Sequence, residues 1–189
     1  MNLSAEKKHR IEYRDFRDRD FLFETVKQCQ DGDTSAMENV YIAYKSSVFK
    51  LACRFTGDSL LAEDLLQDIF VKVFTNIKKL RSPEAFNSWL YRIAVNTCMS
   101  FARKKKKAKE VSLEEMENAE IIDEESQVKQ QIKKAMDTLP PKQKIVFQLH
   151  DVQGFTGAEI AKIMRCSEGT TKSQLFKARM KIRNFIRSK

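Results

Sequence analysis

From residue 21 to residue 55 apolar positions recur at helical spacing, interrupted only at "DGDTSA". Asp33 stands there as the cap of a second helix. "TGDSLLAEDLLQDIFVKVFTNIKKL" continues as a long helix. Asp58 or Ser59 is its cap, and Glu63 and Asp64 favour its positive end. Leu61, Leu65, Ile69 and Val73 repeat every four residues and predict its inward side. In "RSPEAF", Ser82 is a candidate cap with Pro83 at the first helical position and Glu84 beside it.

The helix predicted over Ser88–Arg103 has an unusual wheel. Leu90, Tyr91, Ile93, Ala94, Val95, Thr97, Cys98, Phe101 and Ala102 cover a wide, mostly apolar arc. Trp89, Arg92, Asn96, Ser100 and Arg103 share a narrow polar stripe, about 16 Å long from Arg92 to Arg103. A helix this apolar is buried on most sides, and only the stripe need face outward.

After "RKKKKAK" the chain changes sign. Residues 111–126, "VSLEEMENAEIIDEES", hold seven acidic residues and no basic one, which predicts a linker between two domains. A second helical block begins near residue 127, with breaks at "TLPPKQ" and "DVQGFTG". Thr156 and Glu159 form a capping box for a short helix with Ile160, Ala161 and Met164 as its apolar side. "RCSEG" is a tight break, and Ser167 can cap the helix beyond it, giving a helix-turn-helix. In that last helix Thr171, Leu175, Ala178 and Ile182 share the inward face, although an apolar residue would pack better than Thr171. Seven basic residues and no acidic one follow Gly169.

Composition sharpens this picture. Hydrophobic residues make up 42% and charged residues 32%, while Gly and Pro number only 5 and 3, as expected of an all-α chain. The net charge of +9 points to polyanionic partners. No apolar run approaches the roughly 18–20 residues of a membrane span, and the charged start "MNLSAEKKHRIEYRDFRDRD" lacks a secretory apolar core. The expectation is therefore a cytoplasmic protein without membrane insertion. Cys29, Cys53, Cys98 and Cys166 are far apart, and neither His9 nor His150 stands at ligand spacing from them, so reduced thiols and no metal site or cofactor are expected. An enzyme would need converging carboxylates or His/Cys ligands, and none is found. Basic side chains of the last helix would hold phosphates, while Lys172, Ser173 and Gln174 near its start could reach base edges.

Three stretches together, "AEDLLQDIFVKVF", "FNSWLYRIAVNTCMSFARKKKK" and "LPPKQKIVFQLHDVQGFTGAEIAKIMRCSEGTTKSQLFKARMKI", resemble bacterial RNA polymerase sigma factors in order and spacing. They look most like the small two-domain extracytoplasmic-function (ECF) group, over residues 21–187. The resemblance implies a charged extension over 1–20, sigma region 2 over 21–107, an acidic linker over 108–130 and sigma region 4 over 131–189. It implies docking of Asp64, Leu65, Gln67, Asp68 and Phe70 on the β′ clamp coiled coil of core RNA polymerase, with the β flap as a second contact. It implies recognition of a −10 promoter element by the loop "LRSPEAF", with Arg81, Ser82 and Phe86, and by Asn96, with Arg92, Arg103 and Lys104 on the backbone. One base would be flipped from the stack, at a cost of a few kcal/mol that phosphate contacts help offset. Lys172, Ser173, Gln174, Phe176, Lys177 and Arg179 would meet a −35 element. An anti-sigma factor is a further implied partner.

Two departures stand out. The larger sigma factors carry adjacent tryptophans, whereas this chain has Trp89 followed by Leu90, so Trp89 is read as structural and promoter melting as weaker. Lysine at 172 and 177 cannot form the fork that arginine makes with guanine, which leaves the −35 preference open. The alternative to a sigma factor is a helix-turn-helix regulator acting without polymerase docking, which would leave residues 21–107 without a role.

Overall fold

The computed structural model describes residues 19–111 and 127–188. All but the last two residues of the expected N-terminal extension, and most of the acidic linker, lie outside the described residues; Arg19 and Asp20 open α1. Within them the fold is all helical: α1 (Arg19–Asp31), α2 (Thr34–Thr56), α3 (Ser59–Asn76), α4 (Phe86–Val111), α5 (Gln127–Asp137), α6 (Pro141–Phe147), α7 (Gly157–Met164) and α8 (Glu168–Arg187). No described helix is long and apolar enough to cross a membrane.

The helix boundaries follow local chemistry. Asp33 accepts from the backbone N–H groups of Ser35 and Ala36 and so caps α2, and Asp58 accepts from Leu61 N–H to cap α3. Gly57, at φ 73°, closes α2 in the left-handed conformation that glycine adopts without steric cost. Lys105 adds a cation at the same end, donating to the Thr56 carbonyl at 3.0 Å. The capping box is present in full: Thr156 Oγ1 accepts from Glu159 N–H, and Thr156 N–H donates to the Glu159 carboxylate at 2.8 Å. Ser167 caps α8.

Three local expectations differ from the structure. Ser82 makes no cap bond; its hydroxyl donates to the Glu84 carboxylate instead, and Pro83–Ala85 is a single 3₁₀ turn before α4. Leu61 is exposed, and Ala62 takes the inward place at the start of α3, because the buried face there runs through Ala62, Leu65, Leu66, Ile69, Phe70 and Val73. In α7 Ile163 is buried and Met164 only half-buried. Thr171 proves compatible with its buried site: its hydroxyl donates to the Ser167 carbonyl (3.4 Å) and lies 3.5 Å from Cys166 Sγ.

Helices α1–α4 pack on one another, as do α5–α8, so the two expected helical domains are present. Tyr44, Leu51, Ile69, Phe86 and Leu90 fill the first core, and Met136, Ile145, Leu149 and Ile160 the second. The two cores are continuous, since α4 packs against α7 and, less extensively, α6. Between α6 and α7 the backbone runs through a π turn at Gln148–Val152, a widened turn that sequence periodicity does not reveal.

Candidate nucleic-acid interface

The loop before α4 is held by packing from below. Gln30 Nε2, at the end of α1, donates to the carbonyls of Ile77 (3.0 Å) and Leu80 (2.7 Å). Leu80 and Pro83 are buried beside it, and Phe86 is 0% exposed, edge-on to Tyr44 with ring centroids 5.7 Å apart. Phe86 was expected to touch DNA with Arg81 and Ser82. It is a core residue instead, and the exposed members of this loop are Arg81, Ser82, Glu84 and Ala85.

Asn96 is exposed on α4 and forms a ridge between two hollows. On one side a groove of about 430 Å³ runs between α3 and α4, lined by Lys72, Asn76, Lys79, Trp89, Asn96 and Ser100 among others. On the other a cleft of about 240 Å³ is lined by Asn96, Met99, Arg103, Lys142, Ile145 and Met164 among others. The groove combines amides, two cations and the edge of an indole, the ingredients of a surface that holds a single nucleic-acid strand. Lys72, Asn76 and Lys79 were not foreseen; for Asn76 and Lys79 the "NIKK" run, one residue before Arg81, was the available signal. Trp89 is half-buried against Phe86 (centroids 6.1 Å) and also walls the groove. Arg103 and Lys104 are exposed, whereas Arg92 donates from Nη2 to the Lys162 carbonyl at 2.9 Å.

On α8 the residues expected to meet DNA fan out from the buried face. Lys172, Ser173, Phe176 and Lys177 are exposed, Phe176 at 67%, and Gln174 is half-buried. An aromatic ring left in water on a helix this basic suits contact with a thymine methyl or a sugar. Arg179 is committed elsewhere. Its Nε donates to Asp151 at 2.9 Å and its Nη2 to the same carboxylate, while His150 Nδ1 lies 2.8 Å from Asp151. This group ties the π turn to α8. The Arg179 hydrogen bond, aided by His150 and opposed by partial burial, holds the Asp151 carboxyl below its ordinary range.

A carboxylate with a lowered folded pKa adds stability above its unfolded pKa and loses it as pH falls through the folded value. Asp151→Asn should therefore lower the melting midpoint by about 1–3 °C between pH 5 and 8. The gap from wild type should close only below about pH 4. Thermal melts across that range check this; a gap that closes well above pH 4 would show that the Asp151 carboxylate is not its source.

On α3 Asp64, Gln67 and Asp68 are exposed, and Asp68 pairs with Lys72 at 2.6 Å. Leu65 and Phe70, expected on the same docking face, are 7% and 3% exposed and belong to the core. The exposed apolar side chains of α3 are Leu60, Leu61 and Val71, at 71%, 40% and 63% exposure. Sequence periodicity missed them because an apolar residue on an amphipathic helix is assigned inward by default.

Comparison with known proteins adds an independent line. The family description "Sigma-70 region 2" matches residues 40–108, and "Sigma-70, region 4" matches residues 129–182. The chain is 29% identical to the ECF RNA polymerase sigma-E factor of Escherichia coli over 178 positions, covering 85% of this chain and 92% of that one. It is 27% identical to the RNA polymerase sigma-H factor of Pseudomonas aeruginosa, covering 82% and 88%. Among solved structures, the sigma factor RpoE bound to the anti-sigma factor NepR from Bartonella quintana aligns with a TM-score of 0.66 and 25% identity, covering 75% of this chain and 91% of that one. CnrH in complex with the cytosolic domain of CnrY aligns with a TM-score of 0.70 at 17% identity, over 88% and 97% of the two chains, a likeness of fold.

Proposed function

The chain belongs to the ECF group of the sigma-70 family of RNA polymerase sigma factors, and from that premise we propose that it binds core RNA polymerase, directs it to promoters and assists melting at the −10 element. The observation that carries this reading is the ordered match to regions 2 and 4 over a fold that sets one acidic and apolar helix face apart from two basic surfaces. Members of the family are initiation factors rather than enzymes. A factor serving core polymerase acts in the cytoplasm. An anti-sigma partner is part of the proposal, supported by a structural relative that carries one.

In this reading the outer face of α3 docks on the clamp coiled coil of β′, and the second domain approaches the β flap. The groove between α3 and α4 takes the non-template strand of the −10 element. Asn96 reads a base there, with Arg81 and Ser82 at the loop and Arg103 and Lys104 on the phosphates. Lys72, Lys79 and Trp89 join that list on their position in the groove wall. Lys172, Ser173, Phe176 and Lys177 face the −35 element, with Gln174 at the margin; Arg179 supports them by fixing α8 to the π turn.

Run-off transcription with core polymerase on genomic fragments tests the whole reading. Specific start sites that depend on this protein are expected; their absence, together with failure to bind core enzyme, would overturn it. Asn96→Ala tests the assignment within it. It should shift the −10 base preference and lower transcription from the native promoter about tenfold, since one good base contact is worth about 1–3 kcal/mol. Binding to core polymerase should be unchanged. Loss of core binding would move Asn96 from the DNA face to the polymerase face.

A further inference from the structure

The chain leaves α3 for the loop through a short 3₁₀ turn, Ile77–Lys79, closed by Leu80 N–H donating to the Ile77 carbonyl at 3.0 Å. It then runs extended at Leu80 and at Ser82, and Ser82 makes no cap bond. A turn of this kind is weakly bonded from within. Its two sides nevertheless carry separate tasks in the sigma-factor reading, on which this inference rests. Lys79 lines the groove between α3 and α4, and its ammonium donates to Asn76 Oδ1 at 2.8 Å. Arg81 and Ser82 stand exposed just beyond Leu80. The offset between groove wall and loop is therefore set by the backbone of residues 77–82.

A side chain from another helix fixes that backbone. A primary amide has two N–H donors on one nitrogen, and Gln30 Nε2 directs them to the carbonyls of Ile77 (3.0 Å) and Leu80 (2.7 Å). The Ile77 carbonyl thus accepts twice, from Leu80 within the turn and from Gln30 outside it. Ile77 and Leu80 are 1% and 8% exposed, so water competes poorly for these bonds. Gln30 is not what holds α1 in place. Leu22, Val26 and Cys29 of that helix are buried in the first core, while Gln30 is half-buried at its last turn. Space-filling would be served by any side chain of this length; the two carbonyls call for a double donor.

We propose that Gln30 is a positioning residue for −10 selection. By clamping both ends of the turn it sets the offset between the groove, where a base is read, and Arg81 and Ser82 beside it. Without the clamp the loop samples several offsets, and −10 sequences that the native geometry rejects become acceptable.

Two substitutions test this in the full chain. Gln30→Met keeps the length and removes both donors. Gln30→Glu keeps the shape and sets a carboxylate against two carbonyls. Run-off transcription with core polymerase should compare a promoter this protein uses with single-base variants of its −10 element. The preference for the native element should fall about threefold in Gln30→Met and about tenfold in Gln30→Glu. Binding to core polymerase should be unchanged. Hydrogen exchange at Leu80 N–H should be about tenfold faster in both, because the turn opens more often. Output that falls equally on every −10 sequence would make Gln30 merely structural and overturn the proposal, as would unchanged exchange at Leu80. Variants as selective as an active wild type would overturn this assignment alone. A wild type that yields no specific starts would overturn the sigma reading and this assignment together. If Gln30→Glu fails to fold, Gln30→Met decides.

Discussion

Phe86→Ala should cost about 3–5 kcal/mol and abolish promoter recognition and polymerase binding together. A domain of this kind has about 5–15 kcal/mol in total, so the first domain would be close to unfolding. The reason lies in where the ring sits. Phe86 opens α4, is sealed from solvent, and packs on Tyr44 of α2 and on Trp89 one turn later. Tyr44 in turn bonds through its hydroxyl to the Asn87 side chain, so the start of α4 is fastened to α2 by two adjacent residues. Truncation would leave a cavity under the loop that carries Arg81 and Ser82. Thermal unfolding followed by circular dichroism should show the midpoint falling by roughly 6–20 °C. A variant that melts like the wild type yet loses only −10 selectivity would return Phe86 to the DNA surface.

Val71→Glu should weaken core polymerase binding by about ten- to a hundredfold while leaving the melting midpoint unchanged. Leu60, Asp64, Gln67, Asp68 and Val71 follow one another at helical intervals and fall on one side of α3. Of these, Leu60 and Val71 are apolar, and Val71, 63% exposed, lies one helical turn beyond Gln67 and Asp68. Interfaces draw most of their energy from a few such anchors, while charged neighbours steer the approach. An added carboxylate at that point replaces an apolar contact with a charge that must lose its hydration. Quantitative pull-down or fluorescence titration with core polymerase measures the loss. Unchanged binding would remove this face of α3 from the docking surface.

What could be read from the sequence divides by distance along the chain. Caps at Asp33, Asp58, Thr156 and Ser167 were legible because donor and acceptor lie within three residues of each other. The inward residues of α8 were legible for the same reason, periodicity being local. The roles of Leu65, Phe70 and Phe86 were not. A motif resemblance names a position without saying whether its side chain points outward. Phe86 stands in a polar loop, and only the tertiary fold turns it into the core. The contacts of Arg92 with Lys162 and of Gln153 with Ser47 span 70 and 106 residues, and no pattern of apolar spacing encodes them. Arg179 was assigned to DNA because a basic residue on a recognition helix looks free until Asp151 arrives from the π turn.

Gln30 bears on how the molecule can be dissected. It belongs to α1, which precedes the segment matched to region 2, yet its amide spans the two carbonyls that set the course of the chain into α4. A fragment cut to begin at residue 40 would keep every side chain expected to read DNA and lose the strut beneath them. The functional boundary of the reading head therefore lies upstream of its family boundary, no later than the last turn of α1.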